Sequence, residues 1–215
     1  MAVLKILGKF LISVGLGVLL FVAWTLWGTG ISTSRAQERL ATEYERVSFG
    51  GDGSGEKSEE RGPPDSFKPG PGDPVFRLRI PELDVTQMVV EGVDVEQLKL
   101  GPGHYPDCRD GFDRPLCTPV PEVWPGESGR VIVSGHRTTY GAPFWALDKL
   151  RAGDDIEVES AWGDFTYVVE RIDVVAPDNT SIANPVSKAP ELVLTTCNPR
   201  FSASERLVVY AELTG

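Results

Sequence analysis

From Phe10 to Ile31 the chain carries no charged residue, and from Phe10 to Trp27 it is mostly apolar. Coiled as a helix at about 1.5 Å per residue, such a run is long enough to cross the ~30 Å hydrocarbon core of a bilayer. Everything else about the fold is constrained by that division. Lys5 and Lys9 precede the run, so the positive-inside bias predicts residues 1–9 in the cytoplasm, a single-pass helix over residues 10–31 in the cell membrane, and the rest outside; Arg35 and Arg39 beyond the run act against the bias. A cleaved signal peptide is the alternative, but its apolar region usually covers ~7–15 residues and ends at a small-residue cleavage site, a pattern not evident at Ser32, Thr33 and Ser34.

The formal charge of −10 is distributed unevenly. Residues 75–215 hold 13 basic and 22 acidic side chains, a net of −9. An acidic surface of that kind argues against a nucleic-acid partner, whose phosphates require basic side chains, and otherwise favours solubility.

Beyond the apolar run, "STSRAQERLATEYERVS" places Leu40, Tyr44 and Val47 at helical spacing with charges elsewhere, which fits a short juxtamembrane helix or a frayed stalk. Phe49 to Pro74 is rich in Gly, Pro, Ser and charge, with too little apolar surface to fold by itself, and reads as a disordered tether. Residues 32–74 are therefore expected to form a juxtamembrane segment and flexible linker, and residues 75–215 a single domain able to bury a sizeable core. Within that domain "VFRLRIPEL", "TQMVVEGV", "RVIVSGH", "DIEVES", "FTYVVERIDVVAP", "ELVLTTC" and "RLVVYAEL" are short β-branched or alternating runs bounded by Gly, Pro, Asp and Asn. They predict an all-β sandwich or barrel, with one or two short helices at "VDVEQLKLG" and "PFWALDKLR".

Three cysteines must be placed in what is expected to be an oxidising compartment. Cys108 and Cys117 share one loop crowded with Pro, Gly and Asp and are predicted to pair; a metal site would need ligands that this loop, with His104 as its one histidine and no Cys-x-x-Cys, does not offer. Cys197 is left over, either a buried small hydrophobe or a reactive thiol. A cysteine nucleophile needs a proton partner and a group that neutralises the developing oxyanion. His136 closes the strand-like "GRVIVSGH" and faces a loop, a common place for chemistry; His104, in "GPGHYP", fits a hydrogen-bonded loop histidine. Arg206 follows Cys197 by nine residues. If the flanking runs form an antiparallel hairpin around "NPRFSASE", Cys197 and Arg206 lie opposite each other on one face at its mouth.

"VSGHRTTYGAPF" followed by "LVLTTCNPRFSASERLVV" resembles the sortases, whose pattern is a histidine at a strand end, a Thr-Thr-Cys strand terminus and an arginine opening the next strand. The resemblance continues through "RIPEL", "VEGVDVEQLKLGPGHYP" and "LDKLRAGDDIEV", covers nearly all of residues 75–213, and is greatest to the class E sortases of actinobacteria. The "DCRDGFDRPLC" insertion departs from many members of that class. The resemblance implies a closed β-barrel of about eight strands. It also implies a membrane-anchored cysteine transpeptidase that cuts a Leu-Ala-X-Thr-Gly-like C-terminal sorting signal between Thr and Gly and passes the secreted protein to a peptidoglycan precursor amine. Cys197 would be the nucleophile, His136 the acid and base, and Arg206 the ligand of substrate carbonyls or the oxyanion. Tyr140 matches a tyrosine linked to motif preference, though an aromatic packed beside a strand end is the alternative, and Thr195 and Thr196 either shape the groove or serve as good strand formers. No cofactor and no metal are implied. The rival readings are a pilus-polymerising sortase, a hydrolytic cysteine peptidase and an anchored β-barrel binding module with a structural thiol.

Overall fold

The computed structural model describes residues 2–49, 62–108, 117–118, 121–183 and 189–214. Residues 50–61 of the expected tether and residues 109–116, the whole stretch between Cys108 and Cys117, lie outside the described residues. Helix α1 (Ala2–Ala23) passes through a π-helical turn at Trp24–Gly28 into α2 (Thr29–Phe49), and the stretch Val3–Arg46 is long and apolar enough to cross a membrane.

Eight strands follow: β1 (Pro74–Ile80), β2 (Val85–Glu91), β3 (Gly103–His104), β4 (Gly129–Ser134), β5 (Asp155–Ser160), β6 (Gly163–Val175), β7 (Pro190–Asn198) and β8 (Glu205–Leu213). They close into a barrel in the order β1-β2-β3-β4-β7-β8-β6-β5. Closure leaves no sheet edge to aggregate. The pairs β2–β3 and β4–β7 are parallel and the others antiparallel.

Alternation decides which side chains fill the interior. In β1, Phe76, Leu78 and Ile80 point inward and are fully buried, while Arg77 and Arg79 point outward to Glu159 and Glu157 of β5. These surface pairs contribute at most about 1 kcal/mol each. The core joins β1 to Val131 and Val133 of β4, Ile156 and Val158 of β5, Tyr167 of β6, Leu192 and Leu194 of β7, and Leu207 and Val209 of β8. Phe67, which precedes β1, packs edge-on against Trp124 and Trp162, so residues around it run along the barrel.

Helix α2 docks on the outside of the barrel. Leu40 and Tyr44 are buried against Met88, Val90 and Leu100. The Gln37 amide donates to the carbonyls of Met88 and Leu100 (3.0 and 2.9 Å) and accepts from the Met88 N–H (2.7 Å). That amide supplies the hydrogen bonds that an additional strand would otherwise make along β2, satisfying backbone groups that burial under a helix would orphan. Of the two helices expected within the domain, "VDVEQLKLG" yields α3 (Val95–Leu98), capped by Asp94. "PFWALDKLR" is only a 3-10 turn at Leu147–Lys149, because Phe144, Leu147 and Leu150 must all reach the core from a short segment.

Candidate active site

Three strand ends meet at one rim of the barrel. β7 and β8 pair antiparallel with Cys197 directly opposite Arg206. In such a pair the Cβ atoms lie about 4.5–5.5 Å apart on one face. β4 runs parallel to β7 with Ser134 aligned to Thr195. The parallel pairing ends there, and His136 lies just past it on a turn tied to β7 by the Gly135 N–H, which donates to the Thr195 carbonyl at 3.1 Å. The β7–β8 register sets the thiol opposite Arg206, and this bond holds the histidine turn against the same end of β7.

The outer face on which Cys197 sits is itself covered. Ile132, Val193, Val208 and Tyr210 form a second buried cluster there, packed by Tyr105, Ile182 and Ala183. Covering both faces of β7 is why its sequence reads as a continuous apolar run rather than an alternating one.

Cys197 is half-buried and is the one free cysteine among the described residues; Cys108 and Cys117 are joined in a disulfide, as the loop composition predicts. The Arg206 guanidinium is held by the carbonyls of Ala203 and Glu205 at 3.1 and 3.0 Å. The His136 ring packs beside Tyr140, with centroids 4.9 Å apart and planes tilted by 38°. Burial lowers the His136 pKa below 6.5, and its Nε2 is buried with no hydrogen-bond partner. Burial thus favours the neutral imidazole, the form that can accept a proton. Gly135, just before His136, has no alternative: a Cβ there would lie 2.6 Å from the Phe144 ring.

Thr196 points to the interior side and donates to the Gly135 carbonyl at 2.7 Å, tying the end of β7 to the turn that carries His136. Thr195 shares the outer face with Cys197, and its hydroxyl is buried without a partner. Tyr140 has a positive φ of 52°, and its backbone N–H donates to the Thr29 hydroxyl of α2 at 3.1 Å.

Two residues at this rim were not anticipated. Arg137, immediately after His136, is buried; its Nη1 donates to the Cys197 carbonyl at 3.3 Å and to Asn198 Oδ1, and its Nη2 pairs with Asp148 at 3.1 Å. Asn198 in turn donates to Glu205 at 2.6 Å. One guanidinium thus links the His136 loop to the backbone of the cysteine. The signal available in the sequence was adjacency to His136, which by itself does not distinguish a buried clamp from a solvated charge. Tyr105 is the second. Burial raises its phenol pKa, while Arg206 and a hydrogen bond with Ser134 lower it and Cys197 raises it further. The phenol therefore feels both Arg206 and Cys197.

His104 lies away from this rim, on β3. Its Nδ1 is 3.0 Å from Glu91 Oε2 and 3.7 Å from Glu122, and its Nε2 is 3.1 Å from the Val123 carbonyl. Burial works to lower its pKa, but the two carboxylates and these hydrogen bonds outweigh burial and the net shift is upward. An imidazolium donating from both nitrogens satisfies the group as a buried ion pair. Glu91, His104 and Glu122 have donor atoms within 4.8 Å of one another, a spacing that the proton shared by the ion pair accounts for.

The sequence matches the family model of the sortase domain over residues 78–214. Sortase SrtE1 of Streptomyces coelicolor is 32% identical over 219 residues, covering 97% of this chain. Sortase D of Bacillus subtilis is 29% identical over 214 residues, covering 97% of this chain and 98% of that protein. A crystal structure of sortase E1 from Streptomyces coelicolor with a tripeptide in its active site aligns with a TM-score of 0.58 at 32% identity, over 69% of this chain and 92% of that one. The chain spans 56% of the length of SrtE1.

Proposed function

Because this chain belongs to the sortase family of cysteine transpeptidases, we propose that Cys197, His136 and Arg206 form its active site and that it transfers secreted proteins to a cell-wall amine. The observation that supports this reading is the register that sets Cys197 opposite Arg206, together with the bonds that hold the turn before His136 to Thr195 and Thr196.

In the proposed reaction Cys197 gives its proton to the neutral His136 imidazole as Sγ bonds to the threonine carbonyl carbon of a Leu-Ala-X-Thr-Gly-like signal. The electron pair displaced from that carbonyl rests on the oxyanion, where Arg206 donates charge-assisted hydrogen bonds. Collapse of the tetrahedral species breaks the Thr–Gly bond, and the His136 imidazolium protonates the departing glycine amine. A thioester remains on Cys197. His136 then takes a proton from the incoming peptidoglycan amine as its nitrogen bonds to the thioester carbon; the C–S bond breaks to leave an amide, and the Cys197 thiolate recovers that proton from the His136 imidazolium. Thr195, buried on the face of Cys197, shapes the groove from beneath. Tyr140 contributes by packing its ring beside His136, and Thr196 by holding the two strand ends together.

On this reading residues 1–9 are cytoplasmic, residues 10–31 span the cell membrane, residues 32–74 link the two parts, and residues 75–215 are the extracellular catalytic domain. The enzyme is mixed with Leu-Ala-X-Thr-Gly and Leu-Pro-X-Thr-Gly peptides, with and without an amine acceptor, and followed by mass spectrometry. An adduct on Cys197 with loss of the C-terminal glycine fragment, converted by the amine to a transfer product and absent from Cys197→Ala, is expected. Acylation elsewhere in Cys197→Ala refutes the assignment, and release to water regardless of amine favours a hydrolase.

A further inference from the structure

The apolar helix and the catalytic rim are not separated by the length of the tether. Between the junction of α1 with α2 and the loops bearing His136 and following Cys197 lies a groove of about 360 Å³, lined by Leu26 and Gly30 on one side and by Thr138, Ala142, Trp145 and Phe201 on the other. Leu26 and Gly30 belong to the last turns of the uncharged run that ends at Ile31. Five residues at about 1.5 Å each put Leu26 within roughly 8 Å of the end of that run. Wherever this helix leaves a bilayer, the groove is at the boundary.

The chemistry of the rim fits that location. Outside the N-terminal helices, the exposed large apolar side chains among the described residues are Val95, Trp145, Val174 and Phe201. The only two aromatic ones, 41% and 68% exposed, are together here with ring centroids 5.8 Å apart. Phe201 holds a positive φ of 66°, uncommon for a bulky residue. Arg200 lies 4.8 Å over the Trp145 ring and pairs with Asp148, an aromatic body with a polar neighbour of the kind that collects at membrane surfaces. Trp24, 64% exposed, lies on the helix just below. From Thr29, bonded to the Tyr140 backbone, α2 lies across the outer face of β2 and β1, with Gln37 on Met88 and Glu45 on Arg77, the residue paired with Met88 in the sheet.

We propose that the catalytic rim rests against the lipid surface, with Trp145 and Phe201 seated in the headgroup and upper acyl region beside Trp24. This rests on the anchored reading of residues 10–31. The partner is the bilayer interface itself. With residues 75–215 at −9, attraction to anionic headgroups does not drive the contact; apolar burial does. Cys197 and His136 then face the plane in which membrane-held substrates and acceptors move.

The full chain carrying Cys197→Ala is reconstituted in phosphatidylcholine vesicles, with single cysteines introduced in turn by Phe201→Cys, Trp145→Cys, Trp24→Cys and Ala161→Cys and labelled with an environment-sensitive fluorophore. Ala161 is exposed in the turn between β5 and β6, at the opposite end of the barrel. Lipids bearing a nitroxide on the headgroup or high on the acyl chain are expected to quench the probes at Phe201, Trp145 and Trp24 and to leave Ala161 bright. Quenching at Trp24 with Phe201 and Trp145 as bright as Ala161 overturns the proposal while the anchor stands. No quenching at Trp24 removes the anchor and the proposal with it. Phe201 is exposed, so its replacement tests position without threatening the fold, and the Trp145 probe gives an independent reading.

Discussion

Replacing Arg137 by alanine removes a buried guanidinium that donates to the Cys197 carbonyl and to Asn198 and pairs with Asp148. Asp148 is 38% exposed and keeps Arg200 at 2.7 Å, so loss of that ion pair contributes little. The two hydrogen bonds from a charged donor are worth about 1.5–3 kcal/mol each at most, and water entering the vacated space recovers part of this. A net loss of about 2–4 kcal/mol follows, in the range of large single-residue effects. With a urea slope of about 2 kcal/mol per molar, the unfolding midpoint falls by roughly 1–2 M. The same change releases the backbone at Cys197 from the His136 loop, so acylation is slowed even in the fraction that remains folded, since positioning errors of ~1 Å cost about 10²-fold. Arg137→Lys keeps the charge but not the planar fork and recovers only part of both effects. The measurements are urea unfolding by tryptophan fluorescence and the single-turnover rate of peptide acylation at a urea concentration where both proteins are folded. A variant that unfolds at the wild-type midpoint and acylates at the wild-type rate would show that the contacts at Arg137 clamp nothing.

Arg206→Lys is expected to lower turnover about 10²-fold or more with little change in stability, as removal of one oxyanion donor does; near-normal turnover in steady-state assays would reduce Arg206 to a general charge. Thiol counting on the unfolded, non-reduced protein should find one free thiol, and reduction of Cys108–Cys117 should cost about 2–3 kcal/mol or less for so short a loop, loosening it without unfolding the barrel; three free thiols contradict the bridge. Because the His104 pKa is raised in the folded state, its pairing with Glu91 contributes stability that is complete below pH 6.5 and is lost as pH rises through the folded-state pKa. Glu91→Gln should lower stability and flatten this pH dependence, read from thermal midpoints between pH 6 and 9; an unchanged profile would remove the ion pair from the account.

Much of the barrel was legible because a strand half-buried in a barrel wall repeats every two residues: Phe76, Leu78 and Ile80 alternate with Arg77 and Arg79 whatever lies elsewhere. Seven strands carry an alternating or continuous β-branched apolar run. β3, two residues of Gly and His, carries none and exists only because β2 and β4 bind it on either side. Cys197 and Arg206 could be matched from sequence because a hairpin is local and its register follows from loop length. Three things depended on the assembled structure. Whether "STSRAQERLATEYERVS" docks or frays turns on Gln37 reaching the backbone of Met88, a partner 51 positions away that no periodicity encodes. Arg137 and Tyr105 look like ordinary surface residues until strands from distant parts of the chain surround them, because burial and the charges facing a group are properties of the packed chain. And a thiol is only a thiol in the sequence: its company, a histidine on the turn after β4 and an arginine on β8, is a consequence of barrel closure, which sets the neighbours of β7 by the order of strands in space rather than along the chain.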